Sequence, residues 1–123
     1  MNKKQNNPSR TVQIVLDTVA QKLSLKGRSI NSDPEIIFHP LISLIKGLSD
    51  HHNSFTCDVN LEYFNSSSAK CILQLLKTKH HFTDKNFFST INWYYEEDDD
   101  DSKDFGIDLK EILKVPINLL SVP

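Results

Sequence analysis

The sequence predicts an α/β domain: a four-stranded mixed sheet carrying its helices on one face. Three observations lead there: four segments alternate apolar and polar residues, the stretches between them hold apolar residues at helical spacing, and connection lengths set strand directions. The first strand is read at Val12 to Leu16, with Val12, Ile14 and Leu16 on one side and Gln13 on the other. The second runs from Lys22 to Gly27, setting Leu23 and Leu25 against Lys22, Ser24 and Lys26. So short a connection makes the pair an antiparallel hairpin. In the third, Phe55, Cys57, Val59, Leu61 and Tyr63 oppose Thr56, Asp58, Asn60 and Glu62. The fourth, Phe87 to Tyr95, opposes Ile91, Trp93 and Tyr95 to Thr90, Asn92 and Tyr94, so Trp93 and Tyr95 read as core and Tyr94 as exposed. Each strand keeps a polar side, which leaves one face of the sheet open.

Between the second and third strands, Ser32-Asp33-Pro34-Glu35 offers an N-cap, a first-turn proline and a capping-box glutamate. Ile37, Leu41, Leu44, Ile45 and Leu48 then form an apolar stripe, and Pro40 within it predicts a kink or a late start. A second helix opens at Asn65-Ser66-Ser67-Ser68, with Ala69, Ile72, Leu73 and Leu76 as its buried side. A short third helix is read from Leu109 to Lys114, ending before Pro116. Strands two, three and four are joined through helices, so they are parallel, and right-handed crossovers on one covered face give the order 1-2-3-4.

The whole chain, residues 1–123, reads as one domain, with the polar residues 1–10 flexible. Apolar residues are 38% and charged residues 24%, an ordinary globular balance. A net charge of −2 argues against a nucleic-acid partner. With neither a secretory h-region nor a stretch approaching the roughly 18 apolar residues of a membrane span, the reading is cytoplasmic, with no membrane partner. Cys57 and Cys71, without CxxC spacing, read as reduced thiols.

Charge is uneven. Residues 96–123 hold nine Asp/Glu against three Lys/Arg, and six of those acids, Glu96 to Asp101, are consecutive. Residues 96–104 are therefore read as a solvated acidic loop. Asp100, Ser102, Asp104, Asp108 and Glu111 fall on EF-hand positions, but Phe105 occupies the place of the essential glycine, so no metal site is assigned. The pairs His51-His52 and His80-His81 fit helix C-termini better than chelation. Asp104-Phe105-Gly106 lacks every other kinase motif. No catalytic residue or cofactor is assigned.

Ser66, Ser67 and Ser68 stand where a helix exposes unpaired N–H groups and partial positive charge, a place suited to a phosphate. Simple N-capping is the plainer reading of the same residues.

Two longer segments carry a resemblance. Leu61-Glu62-Tyr63-Phe64-Asn65-Ser66-Ser67-Ser68-Ala69-Lys70-Cys71-Ile72-Leu73 and Ile91-Asn92-Trp93-Tyr94-Tyr95-Glu96-Glu97-Asp98-Asp99, with the shorter Gly27-Arg28-Ser29-Ile30, resemble signatures of the SiaC family of bacterial regulatory phosphoproteins. The likeness extends from about Val12 to Leu120. It implies a fold similar to STAS-type anti-anti-sigma factors, no catalysis, and modification by a dedicated Ser/Thr protein kinase and a PP2C-type phosphatase. It further implies that the unphosphorylated form binds and activates a diguanylate cyclase or a similar output protein, raising cyclic di-GMP. The family's phosphoacceptor follows the motif asparagine, which places it at Ser66, with Ser67 and Ser68 as alternatives. The expected partner contacts are Asn65, Ser66, Ser67, Lys70 and Tyr94. Two departures stand out: serine where threonine is frequent, and a shorter stretch between Asp101 and Phe105. The other functions considered are an anti-sigma-factor antagonist and a small metal-dependent enzyme using the carboxylates from Glu96 to Asp104.

Overall fold

Three helices pack on one face of a five-stranded sheet in the computed structural model, which describes residues 12–30, 32–49, 54–80 and 82–123. The elements among them are β1 (Val12–Asp17), β2 (Lys22–Ser29), α1 (Glu35–Leu48), β3 (Phe55–Phe64), α2 (Ser66–Leu76), β4 (Phe88–Glu96), α3 (Asp100–Leu113) and β5 (Ile117–Val122). Residues 1–10, the pair His51-His52 and His81 lie outside the described residues. The sheet order is β1-β2-β3-β4-β5, with β1 antiparallel to β2 and every later pair parallel. The predicted order and directions therefore hold, and the strand count rises from four to five. β5 escapes the pattern reading because its adjacent Leu119 and Leu120 blur the alternation.

Successive right-handed crossovers put α1, α2 and α3 on the same face. The core lies beneath them, built from Leu23, Leu25, Val59, Ile91 and Trp93 of the sheet and Phe38, Ile72, Leu75 and Leu109 of the helices. Each helix runs opposite to the parallel strands it joins. The N-termini of α2 and α3 therefore share one edge of the sheet, beyond the C-terminal ends of the adjacent strands β3 and β4. The C-termini of α1 and α2 point to the opposite edge.

The largest correction concerns α3. It begins at Asp100, nine residues before the predicted Leu109, so most of the supposed acidic loop is a strand end, a turn and a helix start. Asp99 caps the helix, its Oδ1 accepting the Ser102 N–H at 3.0 Å, and Asp100 and Asp101 follow in the first turn. Carboxylates there face the positive end of the helix dipole, which turns a self-repelling run into a stable helix start.

Smaller corrections follow the same logic. In α1 the N-cap is Pro34 without a side-chain cap bond, and the helix continues through the exposed Pro40 with no late start. Phe38, Leu41 and Ile45 form its buried side, while Leu44 is 52% exposed. The large Phe38 ring, outside the predicted stripe, turns the helix and moves Leu44 outward. In β4, Tyr95 is half-buried against the core and Tyr94 is half-buried on the open face, so neither matches its expected extreme.

The open face carries a polar ladder across four strands. Lys22 Nζ lies 3.1 Å from Asp58 Oδ2, Asn92 Nδ2 donates to Asp58 Oδ1 at 2.8 Å, and Asn118 Nδ2 donates to Asn92 Oδ1 at 2.8 Å. The hydrogen bond and charge of Asp58 raise the pKa of Lys22.

Gly106 shows how tightly α3 sits on the sheet. A Cβ there would meet Leu119 Cδ2 at 2.6 Å and Trp93 Cδ1 at 2.7 Å. Leu119 can swing aside, but the buried indole cannot. Gly106→Ala should therefore destabilise the fold by about 1–3 kcal/mol through overpacking, less the gain of up to about 1 kcal/mol in helix propensity. Urea denaturation measures the balance, and a stabilised variant would mean that α3 can ride away from β4.

Candidate functional site

The site forms where β2 and β3 end and α2 begins. Opposite Gly27 the ladder slips: Gly27 pairs with Leu61 and Arg28 with Tyr63, leaving Glu62 as the extra residue of a bulge. Gly27 has φ 103°, a conformation other residues rarely adopt. The slip reverses the pleat of β3, correcting the predicted inward Tyr63. Tyr63 turns out, 49% exposed, with the Arg28 guanidinium 5.9 Å from its ring centroid. Phe64 takes the interior place, edge-on to Trp93 at 5.8 Å and to Phe105 at 5.3 Å.

Ser29 keeps the inward phase that Leu23 and Leu25 set along β2, and it is buried. Its carbonyl accepts the Asn65 N–H at 3.1 Å and the Ser68 hydroxyl at 2.9 Å, while its own hydroxyl donates to Ser68 Oγ at 2.6 Å. Asn65 caps α2 by accepting the Ser68 N–H on Oδ1 at 2.9 Å. β2 therefore grips the first turn of α2 through one residue.

That grip separates the three serines. Ser68 is fully buried and its hydroxyl is committed to Ser29, whereas Ser66 and Ser67 are exposed. The N–H groups of Ser68 and Ala69 are taken by Asn65, and among the described residues no protein acceptor meets those of Ser66 and Ser67. Lys70 is exposed one turn on from Ser66. The structure thus gathers Asn65, Ser66, Ser67 and Lys70 at one corner. Tyr94, paired in register with Asn60, lies on the open face, the far side of the sheet from the helices.

Ser68→Ala should cost about 1–3 kcal/mol, because it strands the buried Ser29 hydroxyl. Adding Ser29→Ala should cost less than the sum of the two single changes, since both act on one bond. Thermal denaturation of the double-mutant cycle measures this coupling, and strict additivity would show that the pair does not interact.

The pattern reading does not reach Ser29. Its sequence signals are a glycine inside a strand and a small polar residue on the inward phase set by Leu23 and Leu25.

The remaining candidates stand apart from this corner. Asp100, Ser102, Asp104, Asp108 and Glu111 all lie on α3, which removes the loop an EF-hand needs. Among the described residues no group of three or more His, Cys, Asp or Glu could hold a metal ion. Cys57 and Cys71 are free and buried. Burial pushes both thiols up, Cys57 most strongly, with the charges of Glu35 and Asp33 adding to the effect on Cys71. His80 lies just beyond α2, its ring 5.6 Å from that of Phe87.

This corner, two long sequence signatures and a one-sided sheet converge on a family. Residues 3–122 match the SiaC family of regulatory phosphoproteins. The chain belongs to the SiaC family. Members of this family are regulatory phosphoproteins. Solved SiaC structures from Pseudomonas aeruginosa share the fold. SiaC in complex with the diguanylate cyclase SiaD, which it activates, superposes with a TM-score of 0.80 at 19% identity over 94% of this chain and 96% of that one. Apo-SiaC gives 0.71 at 21% identity over 94% of each chain, and a further SiaC structure gives 0.80 at 18% identity over 95% of each. No curated protein matches the chain in sequence. Among the described residues no helix is long and apolar enough to cross a membrane.

Proposed function

We propose that this SiaC-family chain is a partner switch controlled by phosphorylation of Ser66. In this reading the unphosphorylated protein binds and activates a diguanylate cyclase or a similar signalling protein in the cytoplasm, raising cyclic di-GMP. A Ser/Thr kinase disables it and a PP2C-type phosphatase restores it. The observation that carries the proposal is the contrast within one helical turn: Ser66 is exposed while Ser68 is buried and bonded to Ser29. A kinase needs its acceptor hydroxyl free, and Ser66 offers one on a helix start whose free N–H groups favour an anion. Ser67 is the other accessible acceptor in the run.

Unmodified, Asn65, Ser66 and Ser67 are neutral, so at this corner only Lys70 brings a charge that a partner would have to desolvate. A phosphate brings about −1.5 to −2 charge to the same spot. Unless the partner supplies a cation to meet it, burying that charge costs more than the interface returns. Tyr94, on the far face, enters the interface only if the partner wraps the sheet edge.

Phosphate mapping by mass spectrometry after incubation with the cognate kinase tests the assignment. The expected result is a single phosphate on Ser66, lost in Ser66→Ala. Modification confined to other residues, or none, would overturn it.

A further inference from the structure

At the opposite edge of the sheet from Ser66, the C-terminal halves of α1 and α2 bound an open groove of about 640 Å³. Its lining includes Lys46, Lys77, Lys79, His39 and His80, with Ile42 as the one apolar side chain among the described residues. Such a concentration of basic side chains runs against the −2 charge of the chain as a whole. Cations at helix C-termini are expected, but that accounts for Lys46 on α1 and Lys77 at the end of α2 only. Lys79 and the two imidazoles are additional. None of the three lysines forms an ion pair among the described residues, where the pair present is Lys22 with Asp58. Lys79 Nζ lies 2.8 Å from Asn86 Oδ1, a neutral acceptor that leaves its charge uncompensated.

We propose that this groove is a docking site for an acidic segment of a partner protein. Shape and lining favour a polypeptide over a small ligand. Small-molecule pockets are mostly apolar and enclose what they bind, whereas this trough is open and all but one of its described lining residues carry a polar or charged group. Carboxylates laid along it would meet Lys46 from one wall and Lys77 and Lys79 from the other. The groove is about one length of α2 away from Ser66, some 16 Å at the usual helical rise. A docked segment therefore leaves Ser66 uncovered, and this site operates whether or not Ser66 is the phosphoacceptor.

The test uses the full chain, labelled with ¹⁵N and titrated with a short polyglutamate peptide. Amide shifts should centre on His39, Lys46, Gln74, Thr78 and Lys79, and the affinity should fall as salt rises. Lys46→Glu/Lys77→Glu/Lys79→Glu should weaken binding by about ten-fold or more, while Lys103→Glu/Lys110→Glu on α3 should leave it intact. Should the triple reversal unfold, Lys77→Gln/Lys79→Gln should show the same loss in smaller degree. Equal binding of a polyglutamine peptide, shifts centred elsewhere, or unchanged affinity in the groove variants would overturn the proposal. Two other results would replace the occupant and so overturn it too. One is tighter groove binding of tripolyphosphate than of the peptide. The other is salt-sensitive self-association abolished by the groove variants, which would place the acidic run of a second copy there.

Discussion

Ser66→Asp is expected to weaken the complex with the proposed cyclase partner by about ten-fold or more, while Ser66→Ala binds like the unmodified protein. The asymmetry comes from charge rather than shape. Alanine removes a hydroxyl that is exposed and makes no hydrogen bond among the described residues, so little is lost. Aspartate places a full negative charge on the first residue of α2, where a docked partner would strip away its water. Each 1.4 kcal/mol of unrepaid desolvation is a factor of ten in affinity. Aspartate carries less charge than a phosphate and lacks its third oxygen, so phosphorylated protein should bind more weakly still. Calorimetry of the three forms against the proposed cyclase partner decides the matter, and equal affinities for Ala and Asp would remove the switch.

Trp93→Ala should lose about 3–5 kcal/mol of stability, a large share of the 5–15 kcal/mol typical of a domain. Trp93 is 1% exposed and ties β4 to two other elements. Its ring packs against Phe64 of β3 and Phe105 of α3, with centroids 5.8 and 5.2 Å away. Its Nε1–H donates to the Ser102 carbonyl at 2.9 Å, fastening β4 to the first turn of α3. Removing the ring leaves a cavity beneath Gly106 that the rigid sheet cannot close. Trp93→Phe should lose less, since part of the volume survives. Urea titration of the variants measures both, and a loss below about 1 kcal/mol for the alanine form would mean that α3 collapses into the gap.

Four strands were legible because each keeps one polar face and so alternates cleanly, as Phe55 to Leu61 do. β5 and the first half of α3 were not. The first has Leu119 beside Leu120, and the second hides its helical start inside six acids. Asp99 and Ser102 stand at the spacing of a cap and the residue it bonds, yet charge repulsion dominated the reading of that stretch. At the site, Asn65 announced the start of α2 and drew attention to the serines that follow. What divides those serines was not visible. The division depends on Ser29, which lies two residues beyond the strand end read at Gly27 and meets Ser68 across 39 residues of chain.

The placement of α2 and α3 N-termini on a common edge has a kinetic consequence. Asp98, Asp100 and Asp101 already make that edge a negative pole, and the groove lysines make the far edge a positive one. A molecule polarised along its strands turns in the field of a charged neighbour before the two touch, so approach is guided and its rate falls with ionic strength. A phosphate on Ser66 deepens the pole that is already there. It would alter how often a partner arrives correctly oriented as well as how long it stays.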